Sequence, residues 1–201
     1  GIPVVHFACE SGMSRCVLGT NRDDPDQEPP CRACIAQSQV LFQDAPTQWF
    51  RYQNDPALQQ ALANLSVEQL ATFEWSILLP MVGERRLPLG ALALPAVRWV
   101  LRRHHLLDEA PVRQLLCEYI LSAYGVAREF AELVSELKPA ALVVFNGQFF
   151  PEATARWVAR EYGIPSVSHE VGLMPFTAYF TTGEATAYPL DIPETFSLSE
   201  A

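Results

Sequence analysis

Four of the chain's five cysteines, Cys9, Cys16, Cys31 and Cys34, fall within the first thirty-four positions, the last two as a Cys-x-x-Cys pair. That spacing sets two sulfurs a turn apart, so both can reach one ion. Four thiolates would close a tetrahedral zinc site and pin a polar loop that has little core of its own. Two other readings fit the same residues. Cys9 can end an apolar run as a small hydrophobe while Cys16, Cys31 and Cys34 are plain reduced thiols. Alternatively, four cysteines can carry an iron–sulfur cluster, although nothing else in the chain speaks for redox chemistry. The interval from Cys9 to Cys16 is wider than a standard metal knuckle. His6 lies close enough to replace one cysteine, but on a strand it points away from the Cys9 face. Cys117 sits in an apolar helical pattern and reads as core.

The second constellation is Asn146, Gly147, His169 and Glu170. These positions follow the carboxyl ends of two expected neighbouring strands, where open α/β sheets bind their ligands. Glu170 is the candidate general base for an attacking hydroxyl, since proton transfer needs a group whose pKa lies near the working pH. The plainer reading is that the His169-Glu170 pair only hydrogen-bonds loop backbone. A third set, Arg98 and Arg102 with His105, shares a helix face and can hold phosphate or carboxylate through guanidinium forks. A solvated face balanced by Asp108 and Glu109 accounts for it equally simply. Neither Gly-x-Gly-x-x-Gly nor a Walker loop is present.

The elements that must position these groups are clearest in residues 141–170. Ala141-Leu142-Val143-Val144-Phe145 is an apolar run of buried-strand length, Asn146-Gly147-Gln148 ends it, and Pro151 with Glu152 opens a helix running through Tyr162. Gly163 caps that helix and Ile164-Pro165-Ser166-Val167-Ser168 begins the next strand, which together make a βαβ unit. The opening Gly1-Ile2-Pro3-Val4-Val5-His6 repeats the Gly-Ile-Pro pattern and predicts a strand buried on both faces. Residues 55–65, 66–79, 92–107 and 110–137 predict helices, the second with Ser66 and Gln69 in capping-box spacing. The whole reads as a single α/β domain over 1–201. It has a Rossmann-like parallel sheet flanked by helices, a cysteine loop at 9–34, a mostly helical middle at 55–137 and a Pro-punctuated connector at 188–201. Both ends read as cut within a unit.

A net charge of −9 and a pI near 4.9 exclude a sequence-independent nucleic-acid binder, which needs clustered Lys and Arg. No apolar run reaches the roughly 18–20 residues of a membrane helix. The first residues lack a basic region and a small-residue cleavage site. A cytoplasmic location with no membrane insertion is therefore expected.

The run from Pro139 to Pro189 contains Phe-Asn-Gly-x-Phe-x-Pro-Glu-Ala, then Gly-Ile-Pro-x-Val-x-His-Glu-Val-Gly, then Phe180-x2-Gly183. It resembles the amino-terminal, acceptor-side half of GT-B glycosyltransferases of the bacterial capsular and surface-polysaccharide kind. The upstream Cys-x6-Cys followed by Pro-Cys-x-x-Cys is similar to a segment found in that group. The resemblance implies a domain that binds a glycan or phosphorylated acceptor. Asn146, Gly147 and Glu170 would face the cleft and the Arg98 helix would hold a phosphate. It also implies that the nucleotide sugar sits on a second, C-terminal donor domain, without which this chain would transfer nothing. The alternative from another class is a non-catalytic, zinc-stabilised Rossmann-like module that binds a ligand or partner, with Glu170 structural.

Overall fold

The computed structural model describes residues 1–24 and 27–186. The connector expected at 188–201 lies outside the described residues. The architecture is organised by one helix. Ala110–Leu137 (α5 in chain order) has buried side chains at Val112, Leu116, Tyr119, Ala123, Ala127, Phe130 and Val134, at steps of three or four, with Ile120 beside Tyr119, so that one stripe faces inward. Each fully buried large side chain on such a stripe contributes roughly 1.5–3 kcal/mol. The helix stops where Lys138 turns left-handed and donates its N–H to the Val134 carbonyl, just before Pro139.

The helices before it are α1 (Cys31–Leu41), α2 (Pro56–Leu62), α3 (Val67–Ala71) and α4 (Leu89–Leu101); α6 (Phe150–Glu161) follows. Helices α4 and α6 flank α5 and also pack on each other. The strands are β1 (His6–Cys9), β2 (Thr47–Phe50), β3 (Trp75–Leu79), β4 (Gly83–Leu87), β5 (Leu142–Phe145), β6 (Ser166–Val171) and β7 (Ala178–Thr182).

The chain is thus mixed α/β, but the expected extended parallel sheet is corrected. Among the described residues the strands form three small sheets: parallel β1–β2, antiparallel β3–β4, and β5–β6–β7 with β5–β6 parallel and β6–β7 antiparallel. The helix expected over 66–79 is corrected too. Its first turn forms as α3, and Trp75–Leu79 then pairs with Gly83–Leu87 as a hairpin. Trp-Ser-Ile-Leu-Leu carries β-favouring residues, and cross-strand pairing decided what period alone left open. The amino-terminal strand is buried on neither face at its start: it begins only at His6, and Ile2 is 90% exposed.

The capping box at α3 forms in both arms. Gln69 N–H donates to Ser66 Oγ at 3.2 Å, and Ser66 N–H donates to Gln69 Oε1 at 2.9 Å. Replacing Ser66→Ala should lower stability by about 1 kcal/mol, read as a shift in urea midpoint at unchanged slope. An unmoved midpoint would show the cap to be dispensable.

Candidate functional site

The βαβ unit β5–α6–β6 forms as its sequence requires, with Phe145 opposite His169 in the parallel register. Just past β5, Asn146 and Gly147 take left-handed φ values of 57° and 77° in succession. Asn tolerates this region because its short side chain bonds locally: Asn146 Oδ1 accepts the Gln148 N–H at 3.1 Å. Gly147 has no such freedom to change. A Cβ there would stand 2.7 Å from Ser168 Oγ and 3.0 Å from Arg156 Cδ.

The turn is tied across the sheet. Asn146 N–H donates to the His169 carbonyl at 2.7 Å, and Asn146 Nδ2 donates to Glu170 Oε2 at 2.6 Å. The other carboxylate oxygen, Oε1, accepts the Val171 N–H at 2.8 Å. The Asn146 amide and then the Val171 N–H hold Glu170 below its ordinary carboxylate range. Both oxygens are engaged with donors, so this carboxyl favours its anionic form.

Asn146, Gly147 and Glu170 therefore come together as the spacing suggested, and His169 does not join them. Alternation along β6 turns its ring to the opposite face, where it meets Phe145 edge-on at 5.4 Å between centroids and Phe180 at 6.3 Å. Val143, Phe145, Val171 and Phe180 on that face are all exposed.

Beside the turn lies an open hollow of about 480 Å³, bounded by Leu92 and Pro95 of α4, by Gly147 and Gln148, and by Arg156 and Glu184. Arg156 was not singled out by sequence reasoning, because an Arg in mid-helix carries no spacing signal. Its guanidinium donates to the Gly147 carbonyl at 3.1 Å and the Gly183 carbonyl at 2.7 Å, and lies 3.5 Å from the Glu184 carboxylate. Three polar atoms close to this turn, Arg156 Nε, Ser168 Oγ and Thr186 Oγ1, are buried and find no hydrogen-bond partner among the described residues. Such groups cost roughly 1–3 kcal/mol each when left unmet; of these three residues only Arg156 lines the hollow. Glu152, next to the hollow-lining Ala153, was also missed as chemistry. Burial pushes its carboxyl up to about 7, against the donation of its own N–H.

Arg98 and Arg102 lie elsewhere. Arg102 ends α4 in the left-handed region, at φ 52°, and lines a second hollow of about 420 Å³ with Gly19, Asn21, Asp23 and Pro30. Arg98 Nε is buried without a partner among the described residues. The residues of α4 that reach the first hollow are Ala91, Leu92 and Pro95, one turn or more earlier. Trp99, 59% exposed, sets its ring 5.2 Å from that of Phe149.

The cysteine loop occupies the other end of the molecule's sequence. Cys9 closes β1, Cys16 lies in the following loop, and Cys31 and Cys34 form the first turn of α1. Every cysteine is a free thiol. Burial raises the Cys9 thiol against an N–H from Gly12, and Cys16, Cys31 and Cys34 each raise it further; burial likewise raises Cys16, with Cys31 and Cys34 adding to it. His6 stays apart from this group, its ring 3.7 Å from Phe42. Among the described residues no group of three or more His, Cys, Asp or Glu side chains stands placed to hold a metal ion. No helix of the described residues is long and apolar enough to cross a membrane.

Comparison with protein-family models, with curated proteins and with solved structures returned no match.

Proposed function

We propose that this chain is the acceptor-side domain of a nucleotide-sugar-dependent glycosyltransferase in surface-polysaccharide or related glycan synthesis, and that the hollow beside Gly147 receives the acceptor. The observation that carries the reading is the open hollow bounded by the Gly147 turn, Gln148, Arg156 and Glu184 at the carboxyl ends of two parallel strands. Polar side chains of this kind hydrogen-bond a polyhydroxylated or phosphorylated acceptor. The exposed indole of Trp99, near the Gln148 edge through Phe149, adds an apolar platform of the kind a sugar ring covers. In this reading Asn146 holds Glu170 toward an acceptor hydroxyl, Arg156 bears the acceptor's negative charge, and transfer needs a donor domain that carries the nucleotide sugar.

The second reading, a non-catalytic ligand-binding module, is favoured by one observation. The two donors on Glu170 favour its anion and weaken it as a base.

The test is titration of the whole chain with mono- and disaccharides, with and without a phosphoryl group, followed by amide chemical shifts. Perturbation centred on Gly147, Gln148 and Arg156, with affinity reduced about 10-fold or more by Asn146→Ala, supports a saccharide site. Silence of those amides toward every saccharide, or an unchanged affinity in N146A, would sink it. Saccharide binding that Glu170→Gln leaves untouched, together with unaltered transfer once a donor domain is supplied, would assign the carboxyl a structural role.

A further inference from the structure

The glycan reading makes no use of the cysteine loop, and the loop's geometry stands independently of it. Two turns there have the same construction. In Cys9-Glu10-Ser11-Gly12 the Gly12 N–H donates to Cys9 Sγ at 3.1 Å, and in Cys16-Val17-Leu18-Gly19 the Gly19 N–H donates to Cys16 Sγ at 3.1 Å. Each turn thus aims one backbone N–H at its sulfur, the donor a metal-bound sulfur accepts from. Ser11 accepts a left-handed φ of 54° to complete the first of them.

Cys31 and Cys34 lie one turn apart at the amino end of α1, on one face of the helix. The helix end has no side-chain cap. The segment leading into α1 rests on the second turn: a Cβ at Gly19 would meet the Pro29 Cβ at 2.9 Å and Cys16 Sγ at 3.1 Å. The other three thiols, Cys16, Cys31 and Cys34, thus lie within electrostatic reach of Cys9.

The 10–30 loop is tied to α5 through Arg15 with Glu118 and Ser122 and through Thr20 with Tyr119, but α1 has no such hold among the described residues. Helix α1 is 11 residues long and buries none of them, and Val40 and Leu41 near its end are 70% and 65% exposed. A helix of that length is marginal in water without tertiary packing.

We propose that Cys9, Cys16, Cys31 and Cys34 form a structural site for one thiophilic divalent cation, zinc, which anchors α1 and the 10–30 loop to the end of β1. On binding, four S–H bonds give way to four metal–sulfur bonds and the protons leave to solvent, with no change of oxidation state. Binding requires the four sulfurs to draw in to roughly 2.3 Å from the ion. Because four protons are released, affinity falls steeply as pH falls.

The experiment is cobalt(II) titration of the whole reduced chain, read by the visible bands of tetrahedral cobalt and the thiolate charge-transfer band, then displacement by zinc and elemental analysis. Cys117, which packs at the edge of the core with its Sγ 3.9 Å from the Leu62 carbonyl, provides the control. One equivalent of tetrahedral, thiolate-ligated cobalt in the parent and in Cys117→Ser is expected. In Cys31→Ser or Cys34→Ser binding should weaken by about 100-fold or more, since even outer-shell changes cost roughly 10–100-fold. Chelation should release amide-exchange protection in α1 while α5 keeps its own. The proposal is overturned by any of four results: no cobalt spectrum from the reduced parent, parent-like affinity in C31S and C34S, iron with inorganic sulfide in place of zinc, or two disulfides and no metal in the chain as isolated. None of these outcomes bears on saccharide binding.

Discussion

Replacing Glu152→Gln should make the protein more stable at pH 8 and leave it nearly unchanged at pH 4.5. Glu152 stands in the first turn of α6. Burial raises its carboxyl to about 7, and no basic side chain among the described residues is a cause of opposing shift. The ordinary value of 4.5 applies to the unfolded chain. Between those two values the folded state binds more protons than the unfolded one. Folding stability contributed by this group is therefore fully present below pH 4.5 and is lost as pH rises through about 7.

The difference of about 2.5 pKa units corresponds to a penalty on the order of 3 kcal/mol at pH 8. The aligned amides at the start of α6 favour the anion, which makes this figure a ceiling. Glutamine keeps the shape and never ionises, so the penalty disappears. The check is urea unfolding of parent and E152Q at several pH values. Parallel curves across the range would show that Glu152 titrates normally. The same test bears on chemistry, because a carboxyl poised near neutrality is better matched to proton transfer than Glu170, whose pKa is lowered.

The second large effect is expected at Gly90, where Gly90→Ala should cost about 3 kcal/mol or more. The residue lies in the first turn of α4, fully buried, with its N–H donated to the Phe73 carbonyl at 2.9 Å. A Cβ there would stand 2.1 Å from the Leu70 carbonyl oxygen and 2.7 Å from the Ala71 carbonyl. These are backbone atoms at the end of α3, and they cannot rotate out of the way. Relief requires α3 and α4 to part, which exposes the buried Leu70, Leu89 and Ala93.

For a chain of this size that loss lowers the melting temperature by about 6–12 °C. Gly125→Ala is the contrast. It lies inside α5, where the nearest foreign atom to a new Cβ is the Gly12 carbonyl oxygen at 4.0 Å. It should be neutral or stabilising by up to about 1 kcal/mol, because alanine restricts the unfolded chain and suits a helix. Equal melting points for G90A and parent would mean that α4 does not rest on α3 as described.

Local rules made several elements legible in the sequence. Helix α5 was bounded at 110–137 by its apolar period and by Lys138-Pro139. The β5–α6–β6 unit was bounded by Asn146-Gly147, Pro151 and Gly163, and the α3 cap by Ser66 and Gln69. Each of these depends on residues within about one turn of one another, so a single chain read in order contains the necessary information. The same holds for the Asn146–Glu170 contact, because two neighbouring parallel strands in register bring their carboxyl ends together.

What tertiary structure alone decided was everything that depends on a distant partner. The apolar run at 75–79 is strand rather than helix because Gly83–Leu87 lies beside it. Helix α1 buries no side chain of its own, and β2 forms only by pairing with the distant β1. Strand β7 turns what looked like a parallel sheet into a mixed one. Arg156 reaches the Gly147 turn only because α6 folds back along β5 and β6. Arg102 leaves that site because α4 continues past Pro95 and carries it to the cysteine loop. Propensity and period act within a few residues, whereas sheet partnership, burial of a lone carboxyl and the fit of a backbone against a glycine are set by contacts between segments far apart in the chain.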